Sequence, residues 1–149
     1  MDHAQIAYDL FKEGYNCSQA VFASFCDLTG IDFETSLLLS SSLGGGMGRL
    51  REVCGAVSGM MLVAGALYGY SNPKDNSSKS EHYKRIQELA YKFREENGSY
   101  ICRTLLGLDS ASDPKPEERT SEYYKKRPCA ELVRQAAQIM DDYIKSHDA

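Results

Sequence analysis

A chain of 149 residues suits one compact domain and is too short for two well-packed ones. It is 42% hydrophobic and 26% charged, the balance of a soluble globular protein, and 17 Lys and Arg against 21 Asp and Glu leave a net charge of -4. With no basic excess there is no counterion release to favour binding to a nucleic-acid backbone, which excludes that class of partner.

Met1 is followed by Asp2, His3 and an amphipathic stretch rather than by a basic and then apolar leader, which predicts a cytoplasmic protein in reducing surroundings. Ile6, Ala7, Leu10 and Phe11 share one face of a first helix over 4–11, closed by Gly14. Asn16 offers an N-cap to a second helix over 17–28, with Cys17, Ala20, Val21, Ser24, Phe25 and Leu28 along its stripe; Gly30 ends it. Asp32 caps a third, through Phe33, Leu37, Leu38 and Leu39. That helix breaks at Gly44-Gly45-Gly46-Met47-Gly48, a tract too rich in glycine to be helical. The uncharged run from Val53 to Ser71 reaches the lower length of a membrane-spanning helix. Gly55, Gly59, Gly65 and Gly69 interrupt it and its neighbours are amphipathic, so a buried central helix is expected over about 53–70, and no membrane span.

Ser71 to Asn76 is a loop by composition. Tyr83, Ile86, Ala90 and Phe93 lie at helical spacing up to Asn97-Gly98, and Ile101 to Leu106 forms a short helix ended by Gly107. Asp109 to Thr120, with Pro114 and Pro116, reads as a linker. Pro128 suits the first turn of a last helix, striped by Leu132, Val133, Ala136, Ala137, Met140, Tyr143 and Ile144. No period-2 run of β-branched residues persists. The expected architecture is all-α, a single domain over 1–149 bundled around the glycine-rich central helix. Within that helix, Gly65 and Gly69 suit close helix packing. Gly55 and Gly59, beside Cys54, suit either packing or the close approach of a cofactor.

Five cysteines are many for such a chain, and an odd number points away from a disulfide framework towards metal, redox or catalytic thiols. No two stand in a Cys-x-x-Cys spacing, so thioredoxin and zinc-ribbon patterns are missing. Cys17, Cys54, Cys102 and Cys129 nevertheless each fall in the first turn of an expected helix, where free N–H groups and the helix dipole favour a thiolate. They are expected to converge on one site. Four such thiolates suit thiol–disulfide exchange and equally suit tetrahedral zinc or an iron–sulfur cluster, so both a catalytic and a metal-ligating role stay open. Cys26, inside the second helix beside Phe22 and Phe25, reads as a small buried hydrophobe. Cys54 is the expected reactive thiol, because it opens the most buried helix with Arg49 and Arg51 nearby.

The segment Cys54-Gly55-Ala56-Val57-Ser58-Gly59 resembles the CGAxxG signature of the C_GCAxxG_C_C family. Gly14-Tyr15-Asn16-Cys17-Ser18-Gln19-Ala20-Val21 is similar to that family's first cysteine block, Gly44 to Gly48 to its glycine tract, and Cys102 and Cys129 to its last two cysteines. The resemblance spans nearly the whole chain. It implies a small helical protein with four characteristic cysteines and a redox role. The haem of similar split-Soret proteins is not implied, since no Cys-x-x-Cys-His motif is present.

Gly44, Gly45, Gly46 and Gly48 are expected to form a backbone wall beside Cys54, and with Gly55 and Gly59 they are the candidate cofactor-binding positions. His3, His82 and His147 read as surface residues. The paired acids Glu95-Glu96, Glu117-Glu118 and Asp141-Asp142 read as solvated faces, and Tyr123 to Arg127 as a helix end. Function therefore narrows to a redox-active centre of four cysteines, working by thiol–disulfide electron transfer or by metal-linked redox chemistry. Structural zinc or iron–sulfur binding and a non-catalytic scaffold are the alternatives. The partner is a redox protein or a small-molecule oxidant or reductant, and assembly as a homodimer is left open.

Overall fold

The computed structural model describes residues 1–147, and their architecture is all-α. The main helices are α1 (His3–Lys12), α2 (Cys17–Ala23), α4 (Phe33–Ser40), α6 (Gly55–Tyr68), α7 (Asn76–Asn97) and α10 (Cys129–His147). Shorter turns fill the gaps: α3 (Cys26–Thr29), α5 (Gly44–Met47), α8 (Cys102–Leu106) and α9 (Ser121–Lys126). Among the described residues no helix is long and apolar enough to cross a membrane.

Local signals account for most helix starts. Asn16 caps α2 in a reciprocal box, its side chain accepting from the Gln19 N–H while the Gln19 side chain accepts from the Asn16 N–H. Asp32 and Asp75 likewise accept from Thr35 and Ser78. The core joins α1, α2, α6 and α10 through Phe11, Phe22, Met60, Val63, Val133 and Met140, all fully buried. The last helix lies along α1 and crosses α6 with the stripe its 3.6-residue period dictates.

The glycines divide differently from expectation. A Cβ on Gly59 would lie 2.8 Å from the Ser18 carbonyl oxygen and 2.9 Å from Val21 Cβ, and one on Gly55 would lie 3.0 Å from Cys17 Cβ. This pair therefore sets how closely α2 meets α6. Gly65 is exposed with nothing near its Cβ direction, and Gly69 crowds only its own helix end, so neither serves helix packing.

Other boundaries shift for identifiable reasons. The second expected helix breaks at Phe25, whose backbone (φ -105, ψ 18) leaves the helical region, and Cys26 starts a separate turn. The central helix begins only at Gly55, because Val53 pairs antiparallel with Ile101 in an isolated β-bridge. The third helix buries Ser36 and Ser40 while Leu38 and Leu39 stay 69% and 59% exposed. Its inward face is polar because Ser18 Oγ donates to the Ser40 carbonyl at 2.7 Å and Ser40 Oγ to the Ser36 carbonyl at 2.7 Å.

Two histidines expected at the surface are buried. His82 Nδ1 accepts from Arg85 at 2.9 Å. His3 reaches Asp141 through Nδ1 at 2.7 Å and Asp27 through Nε2 at 2.9 Å, and its ring stacks on Phe25 at 4.2 Å. This clamp ties α1 to α3 and α10. His3→Ala strands the carboxylate of Asp141, itself 5% exposed, and is expected to cost about 3 kcal/mol, read as a lowered urea midpoint.

Candidate active site

Four helix starts converge on one cavity of about 400 Å³, and Cys17, Cys54, Cys102 and Cys129 all line it. Each arrives by a separate device. The Gly55 and Gly59 contacts bring the start of α2, with Cys17, against the start of α6. Beside the bridge, Cys54 N–H donates to the Tyr100 carbonyl at 2.8 Å and Cys102 N–H to the Glu52 carbonyl at 2.5 Å, which sets Cys54 next to Cys102. Packing of α10 on α1 and α2 supplies Cys129.

The glycine tract forms another wall, with Gly44, Gly45, Gly46 and Gly48 lining the cavity. Gly45, Gly46, Met47, Gly48 and Arg49 all have positive φ, between 55° and 69°, so the chain makes a turn of left-handed helix. Such a turn costs about 1–2 kcal/mol for each residue with a Cβ, which is why glycine fills three of the five places. It closes with Arg51 N–H donating to Gly45 and Glu52 N–H to Gly46, and it turns the Arg49 and Arg51 side chains towards the cavity. Gly55 also lines the cavity. Gly59 does not; its place is the α2 contact.

Cys26 stands outside this lining. It is half-buried, not fully buried, with Sγ 3.5 Å from Ser36 Oγ. All five cysteines are free thiols. Among the described residues no three His, Cys, Asp or Glu side chains form a group able to hold a metal ion.

The four thiols have unlike environments. Cys17 and Cys129 both face the cavity and act on one another, which shifts them in opposite directions. Cys129 is lowered, first by the neighbouring Cys17 thiol and then, against its burial, by the charges of Arg127, Arg119 and Arg51. Cys17 is held well above the ordinary thiol value by Cys129, by burial and by the other thiols. Cys102 is raised by burial although Arg51 Nη1 donates to its Sγ at 3.7 Å.

Cys54 overturns the expectation of a depressed pKa. Burial pushes it up to about 12, and hydrogen bonds from the Ala56 and Val57 N–H groups offset only part of that. Arg51 turns to Cys102 instead. The folded chain therefore keeps the Cys54 proton where the unfolded chain releases it. Its contribution to stability is complete below the ordinary thiol value and is lost as pH rises towards about 12. The urea midpoint should fall above about pH 9, and in Cys54→Ser the fall should be shallower.

Three contributors lay beyond sequence reasoning. The expected linker is a cavity wall, presenting Pro114, Pro116, Glu117 and Arg119. Arg51 Nε donates to Ser112 Oγ at 2.9 Å, and Arg49 Nε to the Asp113 carbonyl at 2.7 Å, which fasten this wall to the glycine tract. Arg119 donates to the carbonyls of Phe11 and Tyr15 at 3.0 and 3.1 Å. Tyr123 also lines the cavity, its hydroxyl pushed up to about 12 by burial and then by Cys129. The two prolines were the one visible sign that this segment holds a fixed shape.

No curated protein and no solved structure matches the sequence. A family model described as putative redox-active protein (C_GCAxxG_C_C) matches residues 15–143, a span that holds all four cavity cysteines and the glycine tract, and the chain belongs to that family.

Proposed function

We propose that the protein is a dithiol–disulfide redox protein in which Cys129 is the attacking thiolate and Cys17 the resolving thiol. The observation that carries this reading is that Cys17 and Cys129 line one cavity with opposite shifts, Cys129 lowered and Cys17 raised. Exchange needs one sulfur ionised and a second, still protonated, within reach to complete the disulfide. The charges of Arg127, Arg119 and Arg51 favour the ionised form at Cys129, whereas at Cys102 burial outweighs Arg51 and Arg127. Membership of a redox-active family agrees with this chemistry. Cys54 and Cys102, both raised, complete the cavity wall as protonated thiols.

Limiting iodoacetamide applied to the reduced protein across a pH series, with the labelled peptides identified, tests the assignment. Cys129 should label first, with a midpoint below the ordinary thiol value, and Cys54 last. First labelling at Cys54 or Cys102 would overturn the roles. Stoichiometric iron or zinc in anaerobically purified protein would replace them with the metal-holding alternative.

A further inference from the structure

The charge of the cavity is not balanced by its own side chains. Arg49, Arg51 and Arg119 line it against one carboxylate, Glu117. Glu117 is held by Arg127 and stands 3.9 Å from the Arg49 guanidinium. Arg51, only 5% exposed, spends its hydrogen bonds on the Ser112 hydroxyl and the Cys102 sulfur, and Arg119, stacked over the Phe11 ring, spends its own on the carbonyls of Phe11 and Tyr15 and the Tyr124 hydroxyl. Those partners are neutral. A guanidinium stays charged at any pH the fold survives, and withdrawing it from water without a counter-charge is costly. A Cys129 thiolate offsets one of these charges in the dithiol state and none once its sulfur is in a disulfide. The volume falls in the range of small-molecule sites, and planar guanidiniums match carboxylates in geometry.

Building on the dithiol reading above, we infer that the cavity is a substrate site for small organic disulfides bearing carboxylates, which Arg49, Arg51 and Arg119 hold while Cys129 attacks. The Cys129 thiolate forms a bond to one substrate sulfur as the substrate S–S bond breaks, and the departing thiolate carries off that bond's electron pair. Cys17 gives its proton to the departing thiolate and then attacks the Cys129 sulfur, expelling the second substrate thiolate. One thiolate, one thiol and one substrate disulfide thus become one protein disulfide, one free thiol and one free thiolate, with two electrons passed from protein to substrate.

The reduced full-length protein distinguishes this from a site indifferent to charge. Its oxidation is followed with dithiodiglycolate (dianionic), hydroxyethyl disulfide (neutral) and cystamine (dicationic), with a free small thiol as the reference. Repulsion makes a free thiolate slowest with the dianion. The protein should invert that order, reacting about tenfold faster with the dianion than with the neutral disulfide and slowest with cystamine, and added salt should compress the spread. Arg49→Gln should cut the dianion-to-neutral rate ratio at least severalfold, while Arg49→Lys, which keeps the charge, should retain more of it than Arg49→Gln. Rates that follow the free-thiol order, or that do not depend on charge, while a Cys17–Cys129 disulfide still forms, would overturn the anion site and leave the dithiol reading standing. Failure of every disulfide to oxidise the pair would bring down both.

Discussion

Cys129→Ser is expected to lower thiol–disulfide exchange on the order of a thousandfold or more while far-ultraviolet circular dichroism stays near that of the parent. A serine hydroxyl at this position does not ionise near neutral pH, so neither the charges of Arg119, Arg127 and Arg51 nor the neighbouring Cys17 thiol can make it a nucleophile. Burying that hydroxyl costs about 1–3 kcal/mol, softened because the Cys17 thiol remains as a donor. Cys17→Ser should behave differently. The first attack survives, the second has no sulfur to make it, and a mixed disulfide between Cys129 and the oxidant accumulates, visible as an added mass on the Cys129 peptide. Equal loss in Cys54→Ser, without misfolding, would argue that the ionised sulfur is elsewhere.

Gly46→Ala is expected to be the most damaging change in the glycine tract, lowering stability by roughly 3 kcal/mol or more. Its φ is 66°, and a Cβ there would sit 2.6 Å from the Glu52 nitrogen and 2.7 Å from Cys102 Cβ. Relieving those contacts pushes apart the Val53–Ile101 bridge that sets Cys54 beside Cys102, so site geometry and folding fail together. Gly48→Ala is the control. Its φ is also positive, at 55°, but the nearest atom, the Ser42 carbonyl oxygen, is 4.0 Å away. It should cost only about 1–2 kcal/mol in left-handed strain. Denaturant midpoints separate the two, and similar values would show that crowding at Cys102 is not what requires glycine at position 46.

What could be read from the sequence was what short-range chemistry determines. Asn16, Asp32 and Asp75 cap helices because an acceptor side chain before an amphipathic run has few other uses, although the cap at Asp75 falls in a stretch read simply as a loop. The stripe of α10 follows from the 3.6-residue period, whereas which glycines of α6 meet another helix, Gly55 and Gly59 rather than Gly65 and Gly69, depends on the long-range docking of α2. Long-range effects stayed hidden. His3 is buried because Asp27 and Asp141 meet it from distant parts of the chain, and no local pattern announces such a clamp. Arg119 lies among polar residues between Pro116 and the α9 cap Thr120, where nothing marks a cavity-lining side chain. For Cys54 the sign of the shift depended on how completely the thiol is desolvated. The helix start and a buried setting were visible, but not how fully the thiol is enclosed, 4% exposed, nor that Arg51 turns to Cys102, and burial outweighs the two N–H donors.

The dithiol assignment is tested most directly by mapping the disulfide formed when the reduced protein is mildly oxidised and digested under acid. The account predicts one dominant cross-link, Cys17 to Cys129, with Cys26, Cys54 and Cys102 recovered as free thiols. A dominant cross-link between any other two cysteines, or full recovery of five free thiols after oxidation, would contradict it.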